Sequence, residues 1–103
     1  MNLTDIRNYC SKKKGSREDF PFDFETLTMR VGSKMYLLTG VDARPPAINL
    51  KCDPERALLL REKYPSVTEG YHMNKKHWNT VTIDGTIPDK EIYEMIDHSY
   101  DLV

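Results

Sequence analysis

A chain of 103 residues is long enough for one domain with a single modest core. With 39% apolar and 30% charged residues it reads as neither a disordered segment nor a membrane protein, and no apolar run approaches the roughly 18–20 residues that span a bilayer. The formal net charge of −1 says little about partners by itself.

The first residues, Met1 to Arg7, lack the apolar segment of a secretory signal, so a cytoplasmic protein is expected. Thr4 can cap a first helix that carries Leu3, Ile6, Tyr9 and Cys10 along one face. Lys12, Lys13 and Lys14 then fall in its last turn, where cations meet the negative end of the helix dipole, and Gly15 follows as a stop. Residues 15–24 read as a loop, because Phe20, Phe22 and Phe24 alternating around Pro21 do not suit a helix. The three rings are expected to tack this loop onto the core.

At Thr26 the period changes to two. Leu27, Met29 and Val31 alternate with Thr28 and Arg30, Gly32-Ser33 makes a tight turn, and Met35, Leu37 and Thr39 alternate with Tyr36 and Leu38 as far as Val41. Asp42–Pro46 forms a longer turn carrying Arg44, and Ala47–Cys52 a third strand, its preceding Pro45-Pro46 suiting an edge or a strand start. Asp53-Pro54-Glu55 is a helix start, with Asp as N-cap and Pro at the first position. That helix is expected to bury Ala57, Leu58 and either Leu59 or Leu60, ending by Tyr64-Pro65. Ser66–Glu69 lead into the segment Gly70–Asn79, after which Asn79–Asp84 is a strand with Val81 and Ile83 on one face. Asp84-Gly85 begins a turn to Pro88, and Ile92, Met95, Ile96, Tyr100 and Val103 make one apolar stripe on a last helix. Short turns between successive strands predict a single α+β domain over residues 1–103, an antiparallel sheet with helices on one side.

Charge is unevenly spread. Residues 1–19 carry five bases and three acids, residues 51–79 six bases and four acids, and residues 84–103 six acids against Lys90 alone. Such a field can steer a polyanion without a high overall pI, and it equally suits solvated surfaces. Cys10 and Cys52 belong to no CxxC pair and read as free thiols. Glycine-rich phosphate loops, nucleophile elbows and HExxH zinc motifs are all missing, so neither a catalytic centre nor a cofactor is expected. His72 and His77 stand five apart without a carboxylate at ligand spacing, a poor start for a zinc site. His98 reads as a surface or helix-end residue. Two readings of Gly70–Asn79 are open. In one, Tyr71 and Trp78 pack on the sheet, Asn74 shapes a turn and the lysines point to water. In the other, Asn74, Lys75, Lys76 and His77 form a donor-rich basic turn able to touch phosphates beside an aromatic.

The phrase Tyr71-His72-Met73-Asn74-Lys75-Lys76-His77-Trp78-Asn79 closely resembles the signature of the MmcQ/YjbR family, as do Leu50-Lys51-Cys52-Asp53-Pro54-Glu55 and Asp97-His98-Ser99-Tyr100-Asp101-Leu102-Val103. The resemblance implies a CyaY-like two-layer sandwich, with N- and C-terminal helices packed on one face of an antiparallel sheet. It also implies a non-enzymatic protein that binds double-stranded DNA through a "double wing" of β-hairpins. Lys51, Asn74, Lys75, Lys76, His77 and Trp78 match the family's motifs, and Arg30, Lys34 and Arg44 join them as cations near hairpin tips. The expectation is a monomeric DNA-binding module of low specificity; the alternative is a non-catalytic protein-interaction module. A frataxin-like iron role lacks its acids, since the first helix ends in Lys12–Lys14.

Overall fold

The computed structural model describes residues 1–71 and 73–103. Among these the elements run α1 (Leu3–Ser11), β1 (Ser16–Asp19), β2 (Thr26–Val31), β3 (Lys34–Gly40), β4 (Ala47–Lys51), α2 (Pro54–Lys63), β5 (Val67–Glu69), β6 (Trp78–Thr82) and α3 (Asp89–Asp101). The strands form one antiparallel sheet in the order β1-β2-β3-β4-β6-β5. No described helix is long and apolar enough to cross a membrane.

Period-two patterning decides which face is covered. Leu27, Met29, Leu37, Ile48, Leu50 and Val81 lie at alternate positions and stand in register across the strands, and all are buried. Ile6 and Cys10 of α1 and Ile92, Met95 and Ile96 of α3 complete this core. Each such aliphatic side chain contributes about 1.5–3 kcal/mol when taken out of water. Asn79 sits on the same face and donates to the Ala57 carbonyl, so α2 covers that face as well. The opposite face is open, and Trp78 and Leu38 are buried there, outside the core cluster.

The hairpin expected at 26–41 is present, with Gly32 at φ +60° as the first residue of its two-residue turn. Its register shifts between Met29 and Arg30, so Tyr36 is an extra residue whose ring swings into the core beside Tyr100 at 5.4 Å. The β3–β4 ladder stops at Leu37–Leu50, one step short of Tyr36 and Lys51. The buried Ser99 of α3 fills the gap, donating to the Tyr36 carbonyl at 2.5 Å and accepting from Lys51 N–H at 2.9 Å.

Several local expectations are corrected. Asn2, not Thr4, caps α1, in a reciprocal capping box with Asp5. The helix ends at Ser11, so Lys12–Lys14 lie just beyond it. Lys13 reaches Asp97 at 2.6 Å between the rings of Tyr9 and Tyr100, which ties α1 to α3. Residues 16–19 form edge strand β1 rather than loop, since the hairpin gives them a partner. The phenylalanines are not tacked down: Phe20, Phe22 and Phe24 are 39%, 64% and 96% exposed. Leu58 and Leu59 are each 60% exposed, because α2 meets the sheet mainly through Ala57 and Leu60. Pro45-Pro46 stands at a strand start, one of its two readings, but that strand is central and not an edge.

Removing the Ser99 hydroxyl leaves a buried carbonyl and an N–H without a partner. Ser99→Ala is expected to cost about 2 kcal/mol in urea unfolding. An unchanged midpoint would show that the gap is closed by other means.

Candidate nucleic-acid interface

Antiparallel register sorts the predicted cations by end of the sheet. Arg30, Lys34, Lys51 and the 74–77 turn share the end that carries the Gly32-Ser33 tip, since Val31 pairs with Lys34 and Lys51 with Trp78. Arg44 is not among them. It sits at the far end, before β4 starts, and donates to the Val41 and Ala43 carbonyls at 3.4 and 2.9 Å. Position near a turn did not distinguish the two ends; the pairing does.

Arg30 lies on the open face but is occupied, with an ion pair to Asp19 at 3.1 Å and a hydrogen bond to the Ser33 carbonyl. Its Nε is buried without a partner. Lys34 and Lys76 are exposed, and among the described residues neither side chain makes an ion pair. Lys51, half-buried, is likewise unpaired there. Lys12, Lys14 and Arg17, none of them among the expected contacts, also lie at this tip end, where α1 stops and β1 begins, with Arg17 3.9 Å from Asp19. The far end carries Asp23, Glu25, Asp42, Asp84 and Asp89.

The 74–77 turn is built from within. Asn74 Oδ1 accepts from the N–H groups of Lys76 and His77 at 3.0 and 3.3 Å, and its carbonyl accepts from His77 and Trp78. Lys75 Nζ turns back to the Gly70 carbonyl at 3.2 Å. The exposed His77 gives its carbonyl to Cys52 N–H at 2.7 Å, which joins the turn to the end of β4. Trp78 is 8% exposed, so little of its ring can reach a ligand. Gly70 packs so closely that a Cβ there would lie 2.7 Å from the Trp78 Cβ. Tyr71 is 71% exposed rather than packed on the sheet, its N–H donating to Thr80 Oγ1 at 3.0 Å. His72, the partner of His77 in the zinc reading, lies outside the described residues. Among the described residues no cluster of three or more metal-ligating side chains occurs.

Two further residues organise this region: Arg61, not singled out in the sequence, and His98, read there only as a surface or helix-end residue. Arg61 of α2 donates to Asn79 Oδ1 at 2.8 Å, to the Trp78 carbonyl at 3.4 Å and to the Lys75 carbonyl. No spacing rule links residue 61 to 75, so this clamp has no sequence signal. His98 of α3 is half-buried, and its Nε2 accepts from the Asp53 N–H at the start of α2 at 3.1 Å. Burial and the nearby Arg56 hold its pKa below the ordinary value.

This geometry defines a class: a small α+β sandwich whose open sheet ends in a cation-bearing hairpin tip and a clamped basic turn. The chain belongs to the YjbR family, whose model matches residues 11–102. It is 34% identical over 100 residues to the uncharacterized protein YjbR of Escherichia coli K12, covering 97% of this chain and 85% of that one. The uncharacterized YyaQ of Bacillus subtilis is 31% identical over 99% of this chain and 98% of its own. Among solved structures, Deinococcus radiodurans protein DR2400, a DUF419 domain, superposes with a TM-score of 0.95 at 46% identity over 99% of this chain and 78% of its own. A Pseudomonas syringae protein gives 0.84 at 32% identity, with 99% and 98% covered.

Arg61→Met keeps the apolar stem and removes the clamp. Because Trp78 is the single tryptophan, its emission should shift to the red and stability should fall by about 1–2 kcal/mol; unshifted emission would mean that Asn74 alone holds the turn. A second expectation concerns pH. A histidine whose folded pKa is depressed stabilises the fold while neutral, and that contribution is lost as pH falls below the unfolded value of about 6.5. Chemical denaturation between about pH 7 and pH 5 should show a stability loss in the wild type that His98→Gln lacks. Parallel curves for the two proteins would remove His98 as the cause.

Proposed function

We propose that this domain binds double-stranded DNA with little sequence readout. The observation that carries the proposal is the gathering of unpaired cations at the tip end of the sheet. Lys34 opens β3 and Lys76 lies just before β6, two strand spacings apart or about 10 Å, with Lys51 of β4 between them. That span is comparable with the roughly 12 Å width of a major groove, so the two turns can meet phosphates on either side of it. Lys12 and Lys14 extend the patch toward β1, where Arg17 reaches Asp19 at 3.9 Å.

The contact set is narrower than the sequence suggested. Asn74 Oδ1, the Lys75 ammonium and the terminal nitrogens of Arg30 are engaged inside the protein, Trp78 is buried, and Arg17 pairs with Asp19 at 3.9 Å, which leaves Lys34, Lys51, Lys76, Lys12 and Lys14 as phosphate partners. Non-catalytic binding through four to six such contacts predicts non-specific affinity around 10⁻⁴–10⁻⁶ M at physiological salt, with a log–log salt slope of about −4 to −5. Recognition of bases would need side chains in a groove, and α2, which starts at this end, opens with Asp53 and Glu55 and commits Arg61 to the clamp.

A second reading, a non-catalytic protein-interaction module, draws on a different feature, the exposed phenylalanines of residues 20–24.

Fluorescence anisotropy with a labelled duplex at low salt separates the two. Lys34→Glu combined with Lys76→Glu should abolish binding while circular dichroism stays native, and Lys90→Glu, at the far end, should leave it unchanged. Wild-type binding by the double variant would sink the nucleic-acid reading.

A further inference from the structure

The far end of the sheet carries the largest exposed apolar feature among the described residues. Phe20, Phe22 and Phe24 stand on a loop that is held in shape, with Asp23 Oδ1 accepting from the Glu25 and Thr26 N–H groups at 2.8 and 2.7 Å. Those bonds hold the Asp23 pKa below the ordinary carboxylate value. The rings are therefore presented by a fixed turn rather than left loose, and a monomer gains nothing by exposing them.

Beside this loop lies an open cavity of ≈ 500 Å³ whose walls include Met1, Leu3, Val41 and Pro46, with Arg44 among them. Val41 N–H donates to the Glu25 carbonyl at 2.9 Å, so the base of the loop and a wall of the cavity are adjoining pieces of one surface. The two features are complementary: aromatic rings flanked by Asp23 and Glu25 on one, a hollow whose apolar walls are joined by Asn2, Thr4 and a guanidinium on the other.

We propose that this end is a two-fold interface with a second copy of this chain, in which each Phe24 loop enters the other copy's Met1–Leu3–Val41–Pro46 cavity and Glu25 faces Arg44. Adjacency of the two halves is what an isologous interface requires, because one rotation then makes both contacts at once. The area is sufficient. At roughly 150–250 Å² per ring, the exposed fractions offer on the order of 300–500 Å² per copy. Two copies, with the cavity walls they cover, reach the lower part of the roughly 1,200–2,000 Å² range of specific interfaces. A weak, reversible dimer follows. This inference is independent of the DNA reading, which concerns the opposite end.

Sedimentation equilibrium of the full chain over about 1 µM to 1 mM tests it. The wild type should show a monomer–dimer equilibrium, and Phe24→Ser, at a position 96% exposed and so harmless to the fold, should weaken it about tenfold or more. Arg44→Glu should weaken it too, and adding Glu25→Arg to Arg44→Glu should restore much of the loss. A wild type monomeric at every concentration, a dimer indifferent to Phe24→Ser, or a monomer that instead uses Phe24 to cosediment with phosphatidylcholine vesicles would each overturn the proposal.

Discussion

The hydroxyl of Ser99 sits where the β3–β4 ladder breaks, and much of the molecule is arranged around that break. The bulge at Tyr36 turns its ring toward Tyr100 and Ser16, but it leaves a carbonyl and the Lys51 N–H without strand partners. In a buried setting such groups cost about as much as several surface hydrogen bonds contribute. One serine hydroxyl answers both, since it can donate and accept at once. The consequence is positional. α3 is locked to the sheet at one point along its axis, and that brings His98 to the start of α2 and Asp97 to Lys13. Lys13 sets the balance at Asp97: burial alone would raise that carboxyl's pKa, but the hydrogen bonds from Lys13 and Tyr9 outweigh it and hold it low. The same contact pushes the Tyr9 phenol up to about 12.

The basic turn depends on α2 rather than on its own lysines. Asn74 folds the backbone locally, yet the Lys75 carbonyl is satisfied from outside by Arg61, which also reaches the Trp78 carbonyl that the Gly70 N–H serves. The guanidinium suits that task because its fixed fork can serve Asn79, Lys75 and Trp78 together. Internal engagement of this kind divides residues that look alike in sequence. Lys75 and Lys76 are neighbours of the same type, but one ammonium is folded back on Gly70 and the other is exposed.

Elements with a strong period were legible before the structure. The 26–41 hairpin, the Asp53-Pro54 helix start and the Ile92–Tyr100 stripe are local patterns, and tertiary packing had no reason to override them. The family phrases were equally legible, and they carried the α+β sandwich with them. What stayed hidden depends on pairing at a distance. Strand β1 exists because Val31 and Met29 offer it an edge, not because Ser-Arg-Glu-Asp favours extension. Phe20, Phe22 and Phe24 resembled packing anchors because apolar residues in a loop usually are, whereas the Asp23 turn holds them out. Arg44 and Arg30 had the same standing as cations near turns, and only strand register separates one end of the sheet from the other. The clamp by Arg61 and the bridge by Ser99 span 14 and 48 residues of sequence, beyond any local rule.

The two ends of the sheet face opposite ways because antiparallel strands place successive turns alternately at one end and the other. Lysines stand where β2 turns into β3 and where β5 joins β6, while acids and phenylalanines stand where β1 turns into β2, and Asp42 stands beside Arg44 where β3 turns into β4. A protein of 31 × 25 × 25 Å joined to a copy of itself at the phenylalanine end would therefore hold its two cationic ends apart, on the order of 50 Å from each other. At that separation they cannot share the few base pairs that one patch covers. Each would engage its own stretch of duplex, so association would link two segments rather than tighten the grip on one. Gain in apparent affinity would then come only on DNA long or flexible enough to return to the second site, and the length of the duplex becomes the variable that separates dimer from monomer.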